Sequence, residues 1–376
     1  GGAHERPRRP CGQLALAAAA GRRQPCFGKE ADAVYQDVRA AVKARCLCAL
    51  LLALLLLAGC AQAGPWETEL TAMDTFMKLT VYGSGGERAG KQAAARIREL
   101  ESLLSTTDAG SEIYAANHTG SADLSEDTAA LLGRALSLCA DTGGLLDVTI
   151  YPVVRTWGFT TGDYQVPDRE TLDKLLERVD YRTVSLAGGR LTLPEGVEVD
   201  LGAVAKGYAG DQLMALFRDE GVTSAIVELG GNVQTLGVKP DGSPWRVAVQ
   251  SPDGDGYAGV LEIADKAVVT SGGYQRYFEQ DGETYWHIID PRTGCPARSG
   301  VLSVTVVADE GVVCDALSTA LFVMGPEEAA AYWRMQGGFE YILIDEAGAV
   351  TITEGLEGCF SLYGSWEDRP LSVARR

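Results

Sequence analysis

Apolar and polar positions alternate over Phe76–Tyr82, which predicts a strand, and the alanine-rich stretch Arg88–Leu104 behind it has helical spacing. A second helix is expected from about Glu126, capped by Ser125, to the Gly143-Gly144 stop, and a third over Arg169–Val179 behind Asp168. A strand Val197–Asp200 then leads into a helix over Ala203–Asp219 that ends before Gly221. The second half reads as short β-rich pieces: 224–229, 245–250, 260–263, 276–279, 284–289, 302–308, 341–344 and 350–353. Helices over Asp315–Met324 and Pro326–Met335 interrupt them. Strands and helices do not alternate strictly, so the pattern predicts an α+β fold with residues 71–370 as one catalytic domain.

The N-terminal part follows different rules. The run Cys46–Cys60 is apolar throughout, is preceded by Lys43 and Arg45, and at 15 residues is short for a membrane span of about 20. A positive flank, a short apolar core and small residues at its end describe a secretory signal over 42–59, and Leu57-Ala-Gly-Cys60 resembles a bacterial lipoprotein box. Cys60 is then the expected lipid-bearing residue, with 60–70 as a tether and the body held outside the cytoplasm at the cell membrane. A buried helix or uncleaved anchor is the alternative. Residues 1–41 lack sustained periodicity and contain no methionine, so they are expected to be a non-native or disordered extension, with translation starting at Val42.

Charge narrows the function. The net charge is −18, and because residues 1–59 carry nine Lys/Arg and four Asp/Glu, the body from Cys60 onward holds 24 basic against 47 acidic residues. Such a body repels nucleic acid. Any phosphate-bearing ligand must be held by local devices. Cys139, Cys295, Cys314 and Cys359 form no Cys-x-x-Cys pair, which argues against a zinc ribbon or a thioredoxin-type site and leaves disulfide pairing open. No Gly-x-Gly-x-x-Gly fingerprint or Walker loop follows a strand, which disfavours a nicotinamide dehydrogenase or a P-loop kinase. The pairs Gly230-Gly231 and Gly272-Gly273 permit close ligand approach and equally suit hairpins.

Two segments concentrate the chemistry. In His287-Ile-Ile-Asp290-Pro-Arg-Thr-Gly294 a tight turn places His287 at a strand end, and Asp315 and Thr319 downstream lie one helical turn apart. A carboxylate and a hydroxyl on one face suit a hard cation such as Mg²⁺; Asp315 equally suits a helix N-terminal acid. In Asp200-Leu-Gly-Ala-Val-Ala-Lys206 an acid ends the strand and a lysine sits in the first turn of the next helix. A lysine there opposes the helix dipole, which an anionic ligand explains and a solvated lysine packing its stem explains as well.

Together these segments resemble the ApbE family of flavin transferases. The resemblance runs through Met73-Asp-Thr75, Leu146–Phe159, Asp200–Ala209, Glu228–Asn232, Thr270–Tyr274, His287–Gly294 and Asp315–Thr319, in order and over essentially the whole body. It implies mixed and antiparallel sheets with flanking helices and a central cleft for FAD and metal. It also implies Mg²⁺ held by the Ala203 carbonyl, Asp315 and Thr319, with Met73, Leu145, Leu146, Asp147, Asp200, Lys206 and Ile289 lining the FAD site. The implied activity is transfer of FMN from FAD to a threonine hydroxyl of a membrane redox subunit or extracytoplasmic flavoprotein, with AMP released. Asp315 would serve catalysis through the metal, and His287, or else an active-site aspartate, would be the base. An FAD pyrophosphatase and a non-catalytic FAD-binding lipoprotein are the competing readings. Two positions depart from the family pattern: Thr107 stands where many members have a tyrosine near the flavin, and Tyr151 replaces a common glycine.

Overall fold

The computed structural model describes residues 34, 36–45, 47, 64–254 and 256–376. The chain divides into two units, 1–62 and 63–376. In the first, residues 34, 36–45 and 47 are helical, a stretch that spans the junction of the expected extension and the expected signal. The apolar run apart from Leu47, and the lipobox with Cys60, lie outside the described residues. Among those described, no helix is long and apolar enough to cross a membrane.

The second unit is organised by a nine-stranded sheet whose strands follow one another in chain order. They are β1 (Trp66–Ala72), β2 (Thr75–Val81), β3 (Ala225–Leu229), β4 (Asn232–Leu236), β5 (Ala267–Gly272), β6 (Val301–Ala308), β7 (Phe339–Asp345), β8 (Val350–Thr353) and β9 (Leu371–Ala374). Every neighbouring pair is antiparallel except β8 with β9. The helices are α1 (Gly86–Leu104), α2 (Glu112–Thr119), α3 (Glu126–Asp141), α4 (Tyr151–Thr156), α5 (Arg169–Leu176), α6 (Gly202–Asp219), α7 (Gly311–Met324) and α8 (Pro326–Gln336). The α+β expectation is met.

Several boundaries differ for physical reasons. The segment 60–70 is not a tether throughout: from Trp66 it is the edge strand β1, paired residue for residue with β2. The sheet also continues past residue 370 into β9. Val197–Asp200 forms no strand, and the expected strand 284–289 is two short pieces, 283–286 and 289–290, with His287 between them. Strand β4 escaped the periodicity reading because it buries polar groups, Asn232, Gln234 and Thr235, where a sheet strand ordinarily carries apolar ones.

Alternation along β5–β7 separates two cores. Val269, Val304, Val306, Tyr341 and Leu343 pack with α7 and α8 on one face, whereas Val268, Val307, Ile342 and Ile344 meet Trp245, Leu261 and Trp366 on the other. A third core joins β1–β3 to α1, α3 and α6. This half of the sheet is therefore buried on both faces, and α6 and α7 cross where these cores meet.

Candidate active site

The crossing of α6 and α7 brings two backbones into contact. A Cβ on Gly207 would lie 2.2 Å from the Gly311 carbonyl oxygen, and one on Gly311 would lie 1.7 Å from the Gln234 amide, so only glycine fits at either place. This proximity carries Asp315, in the second turn of α7, to the amide of Gly207: the N–H donates to Asp315 Oδ2 at 2.9 Å. In a regular helix that N–H belongs to the carbonyl of residue 203. Asp315 therefore reaches the backbone of α6 one turn past Ala203. The other carboxylate oxygen, Oδ1, lies 3.8 Å from Lys206 Nζ, with Asp315 buried and Lys206 about a quarter exposed. Lys206 stands in the second turn of α6 rather than the first, and also donates to the Gly202 carbonyl at 3.4 Å.

Lys206 is the hub of the cleft. Its charge acts on Asp200 as well, whose carboxyl is pushed up by burial and held down in part by the Gly202 N–H, by Lys206 and by Arg276. It acts on His287 too, whose imidazole is lowered to about 4, chiefly by burial and then by the charge of Arg276. His287 is thus neutral near pH 7. Its Nδ1 lies 3.2 Å from the Arg276 carbonyl, which can only accept, so Nδ1 carries the proton and Nε2 keeps its lone pair. The turn after His287 forms as the sequence predicts, with the N–H groups of Thr293 and Gly294 donating to the Asp290 carbonyl.

The remaining expected residues divide. Thr319, one turn beyond Asp315, has its hydroxyl 3.4 Å from Ser271 Oγ, and that Ser271 hydroxyl lies 2.8 Å from Ser318 Oγ. Asp200 is tied to the 145–150 segment through its N–H to the Val148 carbonyl at 2.8 Å. Within that segment Leu145 and Leu146 are buried in different cores, so a ligand there meets their backbone. Asp147 is buried with both oxygens used: Oδ1 accepts from the Thr149 N–H and hydroxyl, and Oδ2 from the Tyr181 N–H. Its carboxylate is a structural cap. Met73 sits with Asp74 in a two-residue hairpin at φ values of 50° and 57°, left-handed angles that cost non-glycine residues about 1 kcal/mol or more each. Its N–H is held by Glu101 Oε1 at 2.6 Å. Ile289 is buried against Val153, Trp157, Phe159 and Leu172.

Outward from His287 an aromatic wall begins. Phe159 meets the imidazole edge-on at 6.3 Å, and Phe278 stacks on Tyr285 at 5.2 Å and on the exposed Tyr164 at 5.1 Å. Thr107 is exposed, whereas Tyr151 is buried with Arg155 over its ring at 5.1 Å. Gly230-Gly231 form the hairpin between β3 and β4, while Gly272-Gly273 keep ordinary φ values. The sequence reading missed Arg276, Ser271, Asp211 and Gln234. Arg276 lies just past the Thr270–Tyr274 segment, which was the one available signal; Gln234 lies in a strand that was not expected. Cys139, Cys295, Cys314 and Cys359 are free thiols.

Fold and site together define an α+β protein in which Lys206 gathers the carboxylates of Asp315 and Asp200 beside a neutral histidine, a setting suited to a phosphate ester. The ApbE family model matches residues 73–343. The FAD:protein FMN transferase of Escherichia coli K12 is 32% identical over 323 residues, covering 79% of this chain and 92% of that protein. The Treponema pallidum protein of the same name is 34% identical over 310 residues, with 75% and 85% covered. The crystal structure of the Thermotoga maritima ApbE protein superposes with a TM-score of 0.75 at 31% identity, covering 78% of this chain and 99% of that one. The Pseudomonas stutzeri flavinyl transferase ApbE gives 0.72 at 28% identity, with 80% and 98% covered. The chain belongs to the ApbE family.

Proposed function

We propose that this protein transfers FMN from FAD to a threonine hydroxyl of an acceptor flavoprotein, with Mg²⁺ as its resident metal. The observation that carries the reading is the junction at Lys206, where Asp315, Asp200 and His287 converge on one cleft, in a chain whose relatives bear the name FAD:protein FMN transferase.

The donor set suits the metal. Among the described residues no group of three or more His, Cys, Asp or Glu is gathered for a cation, which argues against zinc. One carboxylate, a backbone carbonyl and a hydroxyl suit a hard ion that takes few protein ligands and completes its shell from phosphate and water. Asp315, the Ala203 carbonyl and Thr319 would hold Mg²⁺, which when bound polarises the phosphoryl oxygens and neutralises charge on the leaving nucleotide.

The chain's own groups supply the rest. Lys206 offers its ammonium to a phosphate, and the left-handed Met73 turn and the backbone of 145–147 would line the FAD. The acceptor threonine oxygen bonds to the phosphorus on the FMN side, the bond from that phosphorus to the AMP phosphate oxygen breaks, and AMP departs with the electron pair. The hydroxyl proton passes to a base. His287 Nε2 is our assignment, since its lone pair is held free by the Nδ1 bond to Arg276; Asp200 is the carboxylate alternative. The test is incubation with FAD, Mg²⁺ and a threonine-bearing acceptor, read by in-gel flavin fluorescence and free FMN. Covalent fluorescence on the acceptor is expected. FMN release without labelling would mean a pyrophosphatase, and FAD binding without turnover a carrier.

The acceptors are inferred to be membrane redox subunits or extracytoplasmic flavoproteins, because the signal-like run ending at Cys60 supports a lipid anchor outside the cytoplasm. Cys60→Ser should move the protein to the soluble fraction with its FAD turnover intact. Wild-type protein that carries no lipid would overturn the anchor.

A further inference from the structure

Asp211 lies on α6, five residues past Lys206, and reaches the start of α7. Helix α7 opens without a side-chain cap of its own. Its first two amides are served from α6 instead: Gly311 N–H donates to Asp211 Oδ1 at 2.6 Å and Val312 N–H to Oδ2 at 2.9 Å. Gln234, from β4, donates through Nε2 to the Gly207 carbonyl at 2.9 Å. The Gly207–Gly311 contact, the Asp211 cap and the Gln234 bond thus fix one register of α7 against α6. One turn further along α7 that register sets where Asp315 meets the Gly207 N–H.

We propose that Asp211, supported by Gln234, is a positioning residue for the divalent-cation site, setting the placement of Asp315 against α6 without touching the ion. The inference rests on the metal reading above. A cap chosen only for helix stability would ordinarily come from the residue preceding the helix; Glu310 stands there, and its side chain pairs with Arg134 instead. A carboxylate reaching across from the lysine-bearing helix couples the two helices that carry the site.

The test uses the full chain and Mn²⁺ alone as probe, with binding followed by electron paramagnetic resonance and Tm measured in parallel. Asp211→Ala should weaken Mn²⁺ binding by about tenfold or more, the range seen when groups supporting metal ligands are removed. Asp211→Asn keeps one acceptor and should lose less, which provides a readable variant if the alanine form does not fold. Ser125→Ala removes an ordinary cap from α3, a helix that carries none of the assigned ligands, and should lower Tm without altering Mn²⁺ affinity. The proposal fails if both Asp211 variants lower Tm yet bind Mn²⁺ within about twofold of wild type, a change too small for a positioning role. Absence of Mn²⁺ binding by the wild type would instead overturn the metal reading, and this inference with it.

Discussion

The two ends of the cleft are built on opposite principles. At the α6–α7 crossing, backbones touch and each polar group has a fixed partner: Asp315 on Gly207, Asp211 on Gly311 and Val312, Gln234 on Gly207. At the other end, Phe159 meets His287 edge-on and continues through Phe278 into Tyr285 and the exposed Tyr164 by ring packing alone. Hydrogen bonds fall off steeply with distance and angle, whereas apolar contact tolerates adjustment. The first end is thus suited to holding charge at one point, and the second to accepting a flat or variable surface. Substitutions should divide accordingly, into losses of turnover at the crossing and losses of binding at the wall.

The largest effect should come from Asp315. Asp315→Asn keeps the shape and an acceptor for Gly207 but removes the charge, and transfer should fall about 10³-fold or more, equivalent to several kcal/mol. Asp315→Ala should do the same at a stability cost near the low end of about 1–3 kcal/mol, because a helical amide such as Gly207 N–H has the carbonyl one turn back as a partner. Flavin labelling and thermal melts read both. Near-wild-type labelling by either variant would break the comparison.

His287 joins the two ends and should come next. His287→Asn is expected to lower kcat about 10²-fold, at the modest end for a general base, because an imidazole lowered to about 4 is a weak one. Its ring resonances should stay constant from about pH 5.5 to 8 in the free protein, the range in which an ordinary histidine titrates. The sign for stability follows: the unfolded chain binds that proton first, so this group's contribution to stability rises with pH between about 4 and 6.5. An inflection near 6.5 would show the imidazole to be solvated.

Asp211 has the opposite sign. Burial pushes it up to about 6, so between roughly pH 4 and 6 the native protein keeps a proton the unfolded chain has lost. Its contribution therefore falls as pH rises through that window. Measured against Asp211→Asn by urea unfolding, wild-type protein should lose about 2–3 kcal/mol from pH 4 to 7. Parallel curves for the two proteins would contradict the buried assignment.

The smallest change belongs to the wall. Tyr164→Ala removes an exposed ring stacked on Phe278 and should raise KM for FAD or acceptor by about 2- to 10-fold, the size of one aromatic pair, with kcat nearly constant. A fall in kcat instead would mean that the wall shapes the reacting geometry as well.

The chain alone determined a good deal. Alternation and helical spacing gave the α+β class and helices α1, α3, α6 and α8 to within a few residues, because those elements bury one face. The Asp290–Gly294 turn was legible because proline and glycine restrict backbone angles locally. The pairing of Asp315 with Thr319 needed only the helical repeat. What remained hidden depends on contacts across long stretches of sequence. Strand β4 buries polar groups that make sense only once Gln234 meets Gly207, 27 residues away. The capping role of Asp147 requires the Tyr181 amide, 34 residues on, and the placement of Asp315 against Gly207 spans 108. Local pattern fixes which residues share a face. Only the crossing of α6 and α7, permitted by two glycines too close for any side chain, decides that Asp315 meets Lys206 and the Gly207 amide.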